Sequence, residues 1–142
     1  PPPFDSLGLD PALVEERSGL LLIGGAAGSG RTSTAASIVR AILARRDAFV
    51  LTLERPIEYV HPPSGGRLTA QIEIGTDAPD LESAVAVARM SCADVIVLDH
   101  VDDPARLAAA RELAAGGRRV ISTVTGEGPI PGATLVLPRP RA

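Results

Sequence analysis

The stretch from Gly19 to Arg46 limits the chain to a small set of folds. An apolar run, Leu20 to Ile23, is followed by Gly25-Ala26-Ala27-Gly28-Ser29-Gly30 and then by a segment in which Ala35, Ile38, Val39 and Ile42 recur at i, i+3, i+4 and i+7. The first reads as a strand and the last as a helix with one apolar face, so the glycines form the turn between them. A strand that passes straight into a helix returns to its sheet by a crossover, which sets the next strand parallel to it.

The rest of the chain repeats this alternation. Asp10 and Pro11 read as the cap and first residue of a short helix that ends by Gly19. Phe49 to Leu53 is a strand ending at Glu54, and a polar loop through Pro56, Pro62, Pro63, Gly65 and Gly66 leads to a further strand, Leu68 to Ile74. Leu81, Ala84, Val85 and Ala88 have helical spacing, and Val95 to Leu98 is an unbroken apolar run of the kind buried on both faces of a parallel sheet. Asp103 and Pro104 open another helix that stops at Gly116-Gly117, before a strand from Val120 to Val124. The expected fold is an α/β sandwich with a mostly parallel central sheet, in which the loops after Ile23, Leu53, Leu98 and Val124 converge where ligands gather. At 142 residues the chain is expected to form one domain, residues 10–137, with a proline-rich linker at 1–9 and a tail at 138–142.

Gly25 to Thr32 fits the phosphate-loop (Walker A) pattern Gly-x-x-x-x-Gly-Lys-Ser/Thr at every fixed position but one, where Arg31 replaces lysine. The glycines let backbone N–H groups wrap an anion, and the following helix aims its positive end at the same place. The implied architecture is P-loop NTPase-like (RecA-like), with Gly25, Gly28, Ser29, Gly30, Arg31, Thr32 and Ser33 as candidate ligands of a nucleotide such as ATP. A lysine ammonium is a compact charge that slips between phosphates, whereas a guanidinium is planar and wider, so Arg31 argues against efficient hydrolysis. All 14 basic side chains are arginines, so compositional drift accounts for the origin of the exchange but not for its consequence.

Composition excludes several function classes. Aromatic residues make up 2% of the chain and the net charge is −3, which leaves no stacking platform and no basic track for nucleic acid. No apolar stretch approaches the roughly 20 residues of a membrane span. The single cysteine, Cys92, lies beside an apolar strand and is expected to be a small buried residue. A cytoplasmic setting follows as the default expectation.

The strand Val95 to Leu98 ends in Asp99, which either caps the strand end or, with the Thr32 hydroxyl, orients a magnesium ion. His100 follows at a position suited to a general base, although a histidine without a partner in view reads as structural. His61 stands in a separate loop, with no metal-ligand spacing to draw it into a site.

Taken together, these segments resemble the secretion and type IV pilus motor ATPases, the extension and retraction motors of type IV pili and type II secretion. The resemblance runs from Phe4 to about Gly126. It is carried by Gly19 to Thr34 and by Leu51-Thr52-Leu53-Glu54-Arg55-Pro56-Ile57-Glu58-Tyr59, similar to an acidic box with a strand ending Glu-Asp-Pro-Ile-Glu-Tyr. Gln71-Ile72-Glu73-Ile74-Gly75 and Ser122-Thr123-Val124-Thr125-Gly126 extend it. The framework positions match, whereas the positions that do chemistry in the family differ. Arg31 replaces the lysine, Arg55 the acidic-box aspartate, His100 the catalytic glutamate and Thr125 a histidine, while Asp99 stands where the family has glycine. Glu54 and Glu58 remain as weak catalytic candidates beside His100.

The resemblance implies a degenerate motor domain, a pseudo-ATPase with ATP and Mg2+ as possible ligands. Its expected partners are proteins of a pilus or secretion apparatus, a related motor ATPase among them, without nucleic acid or direct membrane insertion. A slow but active ATPase, with Arg31 and Asp99 in the missing roles, and an adaptor that binds no nucleotide are the alternatives.

Overall fold

A computed structural model describes residues 1–61, 68–126 and 135–137. Six strands form one sheet in the order β3-β2-β4-β5-β1-β6, and every described pair runs parallel. They are β1 Gly19–Gly25, β2 Phe49–Glu54, β3 Leu68–Glu73, β4 Val95–Leu98, β5 Arg119–Thr125 and β6 Leu135–Val136. The helices are α1 Ala12–Glu15, α2 Arg31–Arg45, α3 Leu81–Met90 and α4 Pro104–Ala115. The alternation read from the sequence is therefore present, and the sheet is parallel throughout these pairs rather than mostly so.

Right-handed crossovers decide which face each helix covers. From β1 the chain moves across β5 and β4 to β2, carrying α2 over one face. From β3 it moves back toward β1 through β4 and β5, so α3 and α4 cover the other.

Period-two side-chain alternation divides the core accordingly. Leu21, Ile23, Val50, Val95, Val97 and Ile121 pack under α2 with Ile38, Val39 and Ile42. Leu22, Leu51, Leu53, Ile96, Leu98 and Val120 pack under α3 and α4 with Ala84, Val85, Ala88, Ala110 and Leu113. Small alanines on the helices let the backbone approach a sheet that has almost no aromatic filling.

Two elements lie outside the sequence expectations. β6 pairs through Leu135 and Val136 with Ile23 and Gly24 of β1. Residues Phe4–Leu7 form a 3-10 helix, and Phe4 is buried in the α2-side core. The Ser37 hydroxyl donates to the Pro2 carbonyl at 2.6 Å, and Arg45 lies 5.5 Å over the Phe4 ring while pairing with Asp5 at 2.8 Å. The segment before residue 10 is thus docked on α2, whereas the tail at 138–142 lies outside the described residues.

Cys92 corrects the expectation of burial, because it is exposed. Ser91 ends α3 in extended backbone, carrying the chain outward so that Ala93, not Cys92, takes the inward place. Among the described residues no helix is long and apolar enough to cross a membrane.

If Phe4 fixes the leading segment to α2, Phe4→Ala should lower the unfolding free energy by about 3 kcal/mol in urea titrations. A loss well under 1 kcal/mol would show the docking to be incidental.

Candidate functional site

The loop after β1 is shaped for an anion. A side chain at Gly25 would run into the Ser29 side chain and approach Leu137 Cβ at 3.3 Å, so the loop closes tightly only with glycine there. Gly30, with φ 93°, is the N-cap of α2 and offers no side-chain cap to the helix. The N–H groups of Arg31, Thr32 and Ser33 are therefore left for an outside acceptor; the first intrahelical bond in this turn is Thr34 N–H to the Gly30 carbonyl, at 2.8 Å. Ser29 Oγ is buried without a hydrogen-bond partner among the described residues. Free N–H groups, a helix dipole and an orphaned hydroxyl fit a phosphate group, so the loop passes as a nucleotide cradle.

Arg31 points across this cradle rather than only into it. Its Nη1 donates to the Thr125 hydroxyl at the end of β5, 2.8 Å away. Arg31 and Thr125 thus engage each other across 94 positions of sequence.

The end of β4 shows the same behaviour. His100 has left-handed backbone, φ 58°, the one described non-glycine residue with positive φ, and this turn brings its Nε2 to 3.2 Å from Asp99 Oδ2. Thr123 of β5 ties the turn down: its hydroxyl accepts the His100 N–H at 2.9 Å and donates to Asp99 Oδ1. Asp99 is buried, its Oδ1 accepting from Thr123 and its Oδ2 lying beside the His100 imidazole in a region of low dielectric. The structure supplies the partner that His100 lacked in the sequence.

Glu54 ends β2 beside this group. Its Oε2 accepts from the Thr52 hydroxyl at 2.8 Å and from Gln71 Nε2 at 3.3 Å. Burial pushes the Glu54 carboxyl above its usual range, the two hydrogen bonds oppose that shift, and the charges of Asp99 and Glu58 reinforce it. Glu58 itself is exposed and does not join the cavity.

His61 lies in the loop between β2 and β3, as the sequence suggests. From that loop it also lines the same narrow cavity as Thr32, Glu54 and Asp99, which the sequence did not show. Gln71 holds it there, because Gln71 Oε1 accepts the His61 N–H at 2.9 Å while Gln71 Nε2 donates to the Tyr59 carbonyl at 2.8 Å. Burial first, and then the positive charge of Arg40, push the imidazole pKa down to about 4. The usable sequence signal was topological: β2 and β3 are parallel, so their connection has to begin at the carboxyl edge where the site lies.

Thr32, Asp99 and Glu54 thus present a hydroxyl and two carboxylates to one space, the hard oxygen set that magnesium takes. Asp99 retains lone pairs beyond those used by Thr123 and His100, but the space between these residues admits about one water molecule and does not take an ion with its hydration shell, and among the described residues no cluster of three or more His, Cys, Asp or Glu could hold a metal.

Comparison with known proteins agrees with this geometry. The Escherichia coli protein YggR, itself uncharacterised, is 35% identical over 118 residues, covering 83% of this chain and 36% of that protein. The twitching motility protein of Neisseria gonorrhoeae is 31% identical over 79% of this chain and 30% of its own length. The solved pilus retraction motor PilT with bound ADP superposes with a TM-score of 0.82 at 30% identity, over 88% of this chain and 37% of that one. The chain is a homologue of the secretion and type IV pilus motor ATPases. The Legionella pneumophila ATPase DotB agrees, with a TM-score of 0.82 at 30% identity over 90% of this chain and 37% of that one. No family model matches the chain. The chain spans about a third of the length of the curated relatives it matches.

A pH dependence follows from His61. Its folded pKa lies near 4 against an ordinary 6.5, so the unfolded chain takes up this proton first. The stability it contributes is complete above pH 6.5 and lost as pH falls toward 4. The raised Glu54 pKa works oppositely, favouring the folded state as that carboxyl protonates. Urea midpoints measured across this range should fall less steeply for His61→Asn than for the unmodified chain; equal slopes would contradict the assignment.

Proposed function

We propose that this chain is a degenerate motor-ATPase domain. It binds ATP with magnesium weakly, does not hydrolyse it efficiently, and acts in assembly or regulation of a type IV pilus or type II secretion machine on the cytoplasmic side. Its partners in this reading are proteins of that apparatus, including a related motor ATPase. The whole relatives' activities belong to chains about three times as long.

The observation that carries the reading is that residues at the altered positions are satisfied by the protein itself. Arg31 donates to Thr125, and His100 leans on Asp99. A general base has to reach the water it activates, and the His100 Nε2 nitrogen is already engaged with a neighbouring carboxylate. The cradle, by contrast, keeps its glycines and free helix N–H groups. The slow-ATPase reading draws on one feature, that Glu54 and Asp99 both face the space beside Thr32.

Titration with a fluorescent ATP analogue in magnesium tests the cradle. Saturable binding is expected, weakened by roughly tenfold in Arg31→Ala through loss of a charge-assisted contact. Absence of binding in the unmodified chain would leave the adaptor reading. Arg31→Lys combined with His100→Glu should raise phosphate release above that of the unmodified chain, and no gain despite tight binding would contradict the account of how activity was lost.

A further inference from the structure

Arg31 is the first residue of α2, directly after the glycine loop, yet among the described residues no carboxylate pairs with its guanidinium. Its hydrogen-bond acceptor there is a neutral hydroxyl, Thr125 Oγ1, at 2.8 Å. That hydroxyl is held in place from both sides. The Thr125 N–H donates to Asp102 Oδ1 at 2.7 Å, and the N–H of the next residue, Gly126, donates to the Gly25 carbonyl at 3.0 Å. The end of β5 is thus locked to the first glycine of the loop, in register with it, and the hydroxyl is a fixed acceptor beside the cradle. A charged donor on a neutral acceptor forms a weaker bond than the same donor on a phosphate oxygen, by roughly a factor of two. A guanidinium takes two oxygens side by side, and its end-on edge, Nη1 with Nη2, has to give up Thr125 before it can close on a phosphate.

We propose that Thr125 sets the nucleotide affinity of the cradle by competing for Arg31: with the loop empty its hydroxyl holds the guanidinium across to β5, and a phosphate binds by taking that guanidinium over. This rests on the nucleotide-binding reading above and gives a physical reason for the weak binding in it. A ligand that needs a minor state binds more weakly by the fraction of molecules in that state, so a contact closed in about four molecules of five lowers the affinity about fivefold. Thr125 is exposed and Arg31 half-buried, so water competes for both groups and keeps the contact reversible.

The test measures affinity for the fluorescent ATP analogue in magnesium. Thr125→Val keeps the shape and the backbone N–H to Asp102 but removes the hydroxyl, and it should bind about fivefold more tightly than the unmodified chain. Thr125→Ser, which keeps the hydroxyl, should stay within about twofold. In an Arg31→Ala background Thr125→Val should change nothing, because no guanidinium is left to hold. Unchanged or weaker binding in Thr125→Val overturns the proposal, and so does an equal gain in Thr125→Ser or a gain that persists without Arg31; the unmodified chain still binds in those cases, and the nucleotide reading stands. Binding by Thr125→Val but not by the unmodified chain supports the competition. If neither binds, the nucleotide reading fails and the proposal falls with it.

Discussion

Parallel pairing of β1, β4 and β5 is what the site depends on. Because the strands run the same way, Gly25, Leu98 and Thr125 end on one edge, and the loops that follow them become neighbours although they are far apart in sequence. The register sets this closely, with Gly25 opposite Thr125 and Leu98 opposite Ser122. From there the Thr123 hydroxyl reaches the turn after β4, and the Thr125 hydroxyl reaches the start of α2. The alternating core secures the strands on both faces, so the Thr123 hydroxyl is presented from a buried position, while Thr125 lies at the exposed end of the same strand.

On that edge the replaced residues form contacts of their own. Arg31 bridges the cleft to β5, Asp99 holds His100, and Arg55 donates from Nε to the Ile74 carbonyl at 3.2 Å. A guanidinium brings several donors in a fixed plane and suits such bridging better than an ammonium would. These contacts tie the loops of the site to one another. The loop before α2, by contrast, depends on glycine geometry and a helix end and not on any one side chain.

Much of this was legible in the sequence where the signal is periodic. Val95–Leu98 emerges as a strand over the residues of its apolar run, and α2 begins at Arg31 as the phosphate-loop pattern requires. Thr32 and Asp99 were paired in advance by chemistry, and they line one cavity. The misses have a different physical origin. β6 is two residues long and carries no period, and Phe4–Leu7 is held by the fit of one aromatic ring against α2. Cys92 looked buried because its neighbours are apolar, but the backbone at Ser91 turns it outward. His61 has no ligand spacing along the chain, and Gln71, ten residues on in the next strand, is what brings it in. The Arg31 to Thr125 contact is likewise invisible to any local pattern.

The central claim is that a nucleotide cradle persists while the residues around it are committed to one another. Steady-state phosphate release from Mg-ATP by the purified, unmodified chain addresses it most directly. The account predicts release indistinguishable from the nucleotide blank; sustained, magnesium-dependent turnover that disappears in Glu54→Gln would contradict it.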